Sequence, residues 1–252
     1  MWTDRIALGA ALSALMTPAL ASYANMPFHD RPFAVADLAL RVLDGEAVAL
    51  PTEDLPLVAA VASLLLVSEL GVAEAYEEAV EDGDDGDDTE GDAYAAAYAL
   101  FQTVRPWIDA VPQDAELADL VARLDALMPT AQRPQALDAD PEAAEVIAQA
   151  LVGRLERAAN ADLYLGRDLP RALETVAQLA AQGCAQVEDA QPRWFRVAAL
   201  YFEDALEAPM SVMAADQAER IEDGFEALLD GDLTACATVS LAFTETRERL
   251  FP

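Results

Sequence analysis

Apolar residues in this chain recur at steps of three and four, a spacing that suits helices and little else. Leu117, Leu120, Val121, Leu124 and Met128 make one stripe, and Ile147, Leu151, Leu155 and Ala158 make another. Val58, Val61, Leu65, Val72 and Tyr76 make a third. The apolar fraction is 54%, and much of it is Ala, which favours helix and buries little area per residue. Long β-branched runs and Asn-Gly hairpin signals are missing from the sequence. We therefore expect an all-α fold of eight to nine helices, packed as an antiparallel helical bundle or a short α-solenoid.

Punctuation along the chain gives the expected boundaries. One helix is expected over Ala34 to Leu43, stopped by Asp44-Gly45, and the next from near Thr52 towards Glu81. Asp114, Asp140-Pro141-Glu142, Asp168 and Ser211 read as helix starts, and Gly166, Gly183 and Gly231 as stops. Pro106 and Pro112 are expected to bound a turn around Trp107, and Pro209 to stop the helix holding Trp194, Phe195, Tyr201 and Phe202. The last helix is expected from Leu233 to about Leu250. Residues 81–92 read EDGDDGDDTEGD, eight acids in twelve positions. Gly and mutual repulsion disfavour helix there, so 82–92 reads as an acidic loop or linker between a helical part at 22–81 and another at 93–252. One continuous domain over 22–252 is the other organisation open.

Two turns, Gly166-Arg167-Asp168-Leu169-Pro170-Arg171-Ala172-Leu173 and Asp230-Gly231-Asp232-Leu233-Thr234-Ala235, resemble those of tetratricopeptide repeats. The Trp, Gly and Tyr of that family's first helix are out of register here, the closing Pro is missing, and no period of ~34 residues emerges. The resemblance implies helical hairpins and does not assign the family.

The formal net charge is −31, from 46 acids and 15 bases, every base an Arg. A GC-rich genome and adaptation to high salt both remove Lys, but only the second adds acids. Such a surface repels itself in dilute buffer and is screened in salt. Nucleic acid and anionic membrane would be repelled, whereas a cationic protein or peptide is compatible by sign.

The N-terminus joins a short charged start, an apolar run from Ile6 to Met16, Pro18 and an Ala19-Leu20-Ala21 site. That is the grammar of a signal peptide over 1–21, although Asp4 offsets Arg5. An ordinary first helix capped by Thr3 is the alternative. Cys184 and Cys236 are the two cysteines. In an oxidising compartment they would form one disulfide, and in a reducing one they would be two small buried thiols. We expect a periplasmic or secreted protein, or else a cytoplasmic one from a salt-adapted organism. The run Leu55–Val67 is apolar on all faces but short of the ~20 residues that a bilayer span needs, so it reads as a central buried helix.

Chemistry is constrained mainly by exclusion. Without Lys there is no Schiff base and no phosphate-loop lysine. One imidazole, His29, rules out a multi-histidine metal site and reads as a loop residue. Gly-x-Ser-x-Gly and Cys-x-x-Cys-His are absent. No cofactor is implied. Asp84, Asp85, Asp87 and Asp88 are candidate ligands for a weakly held cation, though no register satisfies the EF-hand loop. Tyr94, Tyr98, Phe101, Trp194 and Tyr201 are candidates for an aromatic partner groove, against the alternative of ordinary core. The reading that follows is a non-catalytic, salt-adapted helical binding or scaffold protein that engages a protein or peptide. The runner-up is a periplasmic helical bundle that binds a cation or small ligand through acidic residues. Catalysis by carboxylates alone would require a buried pair of acids in a deep cleft.

Overall fold

The protein, seen in a computed structural model, is described over residues 23, 30–81, 90–132, 140–160, 167–187 and 189–251. Helices are the only regular structure among the described residues, which hold no strands. In chain order the helices are α1 (Asp30–Leu43), α2 (Leu55–Val67), α3 (Val72–Glu81), α4 (Glu90–Asp109), α5 (Ala115–Leu127) and α6 (Ala143–Ala159). They continue with α7 (Leu169–Ala185), α8 (Gln191–Phe202), α9 (Ala208–Met213), α10 (Ala215–Leu229) and α11 (Ala235–Leu250). A π-helical segment, Glu203–Glu207, joins α8 to α9. Counting α2–α3 and α8–α9 as interrupted rods leaves nine helices among the described residues, which agrees with the bundle of eight to nine expected from sequence.

The apolar helix α2 is the hub of the first half. It packs against α1, α3, α4 and α6, and every residue from Leu57 to Leu66 is buried. Taken through its break, Leu55–Val80 is long and apolar enough to cross a membrane, but 72% of that window is covered by the rest of the protein. In the second half α7 packs on α8, α10 on α11, and α11 returns to α7. Helix α1 touches both α2 and α8. A single buried apolar cluster runs from Val35 to Phe243 through both halves.

Several boundaries follow the side chains that were expected to set them. Asp114 accepts a hydrogen bond from the Leu117 N–H (2.7 Å) and Asp168 from the Arg171 N–H (3.2 Å), each capping a first turn. Others differ from expectation. Helix α2 does not run on to Glu81: it stops at Ser68, and α3 begins at Val72. Helix α4 continues through Pro106 to Asp109, because Trp107 and Ile108 are buried and hold the chain against the core. Helix α6 ends at Ala159, short of Gly166, where Asn160 takes a left-handed conformation (φ 50°). Gly183 does not stop α7. A Cβ there would meet the Phe195 ring at 2.6 Å, so the glycine lets α8 lie close.

Pro209 does not stop its helix either, and Ser211 caps nothing; its Oγ donates back to the Glu207 carbonyl (2.9 Å). Proline lacks the N–H that would bond the carbonyl four residues back, and its ring crowds that carbonyl. The ladder responds by widening into the π turn at 203–207 and resuming as α9. Ser211 therefore lies inside a helix, and the true break falls at Ala214 (φ −154°).

Candidate functional site

The widened turn faces a concavity. The break between α2 and α3, the first turns of α6, the start of α7 and the π segment enclose a cleft of about 370 Å³, lined by Val67, Glu69, Glu145, Gln149, Val152, Arg167 and Asp204. Each wall has a local cause. Ser68 leaves α2 in an extended conformation, and the Gly71 N–H closes a tight turn onto the Ser68 carbonyl (2.6 Å). A Cβ at position 71 would lie 2.7 Å from that carbonyl oxygen and 3.0 Å from the Leu65 carbonyl oxygen, so only glycine fits. This turn presents Glu69. Glu145 and Gln149 lie one turn apart on α6, and the Gln149 amide donates to the Glu145 carboxylate (2.7 Å). Arg167 is paired with Glu156.

The electrostatics are one-sided. Burial, then repulsion from Glu207, Glu69 and Glu222, pushes the Glu203 carboxyl up to about 7. Burial, then repulsion from Glu69, pushes Asp204 up to about 7 as well. Glu69 is raised by burial and by Glu207, Glu78 and Glu145, and Glu74 by burial and by Glu69, Glu77, Glu78 and Glu145. Each of these acids makes its neighbours harder to ionise, as happens when like charges share a poorly solvated site. Near neutral pH Glu203 and Asp204 are therefore partly protonated.

Two alternatives can be weighed from the same geometry. Among the described residues no three carboxylate, imidazole or thiolate groups converge to hold a metal ion. The acids ring the cleft instead of meeting at a point, which suits a spread positive charge better than a compact one. Glu203 and Asp204 are the raised acids that carboxylate catalysis would need. They are sequence neighbours on a helix, however, and side chains at i and i+1 do not face each other across a substrate.

Of the sequence candidates, Asp84, Asp85, Asp87 and Asp88 lie outside the described residues, as do His29 and segment 1–21. The aromatic groove is corrected: Tyr94, Phe101 and Tyr201 are buried core. The Tyr94 hydroxyl donates to the Leu127 carbonyl (3.0 Å) and the Tyr201 hydroxyl to the Pro32 carbonyl (3.1 Å). Their apolar rings pack inward and their polar tips find backbone acceptors, which leaves nothing for a partner. Tyr98 is half-buried, and Trp194 stacks on Phe33 with ring centroids 3.8 Å apart. Cys184 and Cys236 are joined in a disulfide (Cα–Cα 6.1 Å) that ties α7 to α11. Sequence reasoning missed the cleft because acids are everywhere in the chain. The usable signal was Pro209 inside an apolar-spaced rod, with Glu203, Asp204 and Glu207 just before it.

No protein-family model, characterised protein or solved structure matches this chain.

Proposed function

We propose that this is a non-catalytic binding protein that takes the cationic side chains of a basic, amphipathic peptide or protein segment into the carboxylate cleft. The observation that carries the reading is the gathering of Glu69, Glu145 and Asp204 around one concavity, with Glu203 near enough to Glu69 to be repelled by it, where the lining cation, Arg167, is paired with Glu156. A volume of about 370 Å³ suits one or two side chains and is at the small end for a whole organic ligand. Exposed Leu70 and Val146, next in sequence to Glu69 and Glu145, offer apolar contacts beside the charge. A basic amphipathic segment matches both features. The Cys184–Cys236 bond and the signal-like N-terminus support a place outside the cytoplasm, and the charge supports salty surroundings. Intact mass tests that placement: a native chain shortened by residues 1–21 and two protons heavier on reduction would agree with export.

A chain of charge −31 attracts any polycation, so the binding test needs a geometric control. A short Lys/Leu amphipathic peptide would be titrated calorimetrically into the wild type, into Glu69→Gln/Asp204→Asn, and into a variant with two remote acids neutralised (Glu53→Gln/Asp189→Asn). The reading expects saturable binding that the cleft variant weakens at least tenfold and the remote variant leaves nearly unchanged. Equal losses in both variants would mean general electrostatic attraction and would end the cleft proposal. Binding should also tighten from pH 6 to pH 8, since a cation favours the ionised carboxyls. The gain is up to about tenfold per carboxyl for each pH unit below its midpoint.

A further inference from the structure

Helix α6 lays Glu145, Gln149, Val152 and Glu156 along one face, at steps of four, three and four. The first three line the carboxylate cleft, and Glu156 follows one turn further on. Arg167 stands just ahead of Asp168, the cap of α7, and lines the same cleft, yet its guanidinium is bonded to Glu156. The cleft's own cation is thus tied to a carboxylate one turn beyond the acids that face the cavity.

The two partners are unequally solvated. The Arg167 side chain is 51% exposed and that of Glu156 11%. Taking the cation from so poorly solvated a carboxylate is costly, whereas an arginine that already meets water can turn its long side chain elsewhere. The other carboxylates on its own cleft wall are Glu69, Glu145 and Asp204. The charges that act on Glu69 come from Glu207, Glu78 and Glu145, and each raises it. A guanidinium arriving there would relieve that repulsion. It would also take the place of a partner's cationic side chain.

We propose that Arg167 is a tethered competitor for the carboxylate cleft and that Glu156 is the residue that holds it off. This rests on the reading that the cleft takes cationic side chains. A competitor on the same chain acts at high effective concentration. An outside cation binds only the molecules in which Arg167 is held back, and its apparent affinity scales with that fraction.

A cycle of Glu156→Gln, Arg167→Gln and the double variant tests the proposal, each titrated calorimetrically with the Lys/Leu peptide. Glu156→Gln releases the arginine and should weaken binding by about fivefold or more. The double variant should bind as Arg167→Gln does, because no competitor remains to be held. A mere change of field would act otherwise: loss of the negative charge at 156 would weaken binding equally with and without Arg167, and that additivity overturns the proposal. A second readout needs no peptide. Carbon-13 NMR follows the Asp204 carboxyl, whose midpoint lies at about 7. Glu156→Gln should lower it by about half a unit or more in the wild type and leave it in place in the Arg167→Gln background. An equal shift in both backgrounds, or none in either, overturns the proposal. Glu156→Ala releases Arg167 as well, so the outcome does not hang on one variant, and circular dichroism checks each fold. A wild type that takes up no peptide ends the cleft reading, and the Asp204 midpoint then decides the role of Arg167 alone.

Discussion

The Arg196 guanidinium grips the Asp44 carboxylate with two hydrogen bonds, 2.8 and 3.0 Å long, across 152 residues of sequence. The pair joins the end of α1 to α8, and Arg193 with Asp37 makes a second tie between the same helices. The Arg196 bond holds the Asp44 carboxyl below its ordinary value of 3.8. A carboxyl depressed in the folded state stabilises it above the unfolded value, and the contribution fades as pH falls through the folded one. Both side chains are over 40% exposed, so solvent screening keeps the contribution small. Asp44→Asn should cost about 0.5–1 kcal/mol at pH 7 in moderate salt and almost nothing near pH 2. Urea denaturation at the two pH values checks this.

The two acids of the π segment act with the opposite sign. Glu203 and Asp204 bind protons more tightly folded than unfolded, so stability is greatest in mild acid and declines as pH rises through about 7. The loss between pH 5 and pH 8 should be on the order of 2 kcal/mol once partial exposure is discounted. Asp204→Asn should flatten that slope and raise the melting temperature at pH 8. Thermal melts across the range measure both effects, and a wild-type curve rising towards pH 8 would contradict the burial argument.

Tyr76 is wholly buried, and among the described residues its hydroxyl has no hydrogen-bond partner. A buried polar group left unpaired forfeits its hydration without return. Tyr76→Phe removes the group and keeps the ring, so it should stabilise the protein by about 1 kcal/mol in chemical denaturation.

Gly71→Ala tests the turn that presents Glu69. The new methyl group would sit against backbone oxygens, which cannot rotate aside as a flexible side chain can. A loss of about 2 kcal/mol or more is expected, together with weaker peptide binding. A variant of wild-type stability and affinity would show that the turn adapts freely.

The all-helical class and several caps were legible in the sequence because they depend on near neighbours. Asp114 and Asp168 need only the N–H groups three residues ahead, and the stripe from Leu117 to Leu124 needs only a period. What was not legible depends on packing. Tyr94 and Tyr201 have a composition that fits a groove or a core equally well, and carbonyls 33 and 169 residues away decide it. Gly183 looks like a terminator until Phe195 is placed over it. The cleft was hidden for a related reason: none of its acids is unusual alone, and the turn, α6 and the π segment must meet before they become a set.

The π turn at 203–207 has a consequence for how such a site is gained or lost. A helix that bonds five residues back, not four, carries one residue more than a regular α-helix between the same anchor points. Deleting one residue there would let α8 run into α9 in a single register and swing the acids about 100° around the axis. In this rod, having or lacking a carboxylate wall is the difference of a single codon.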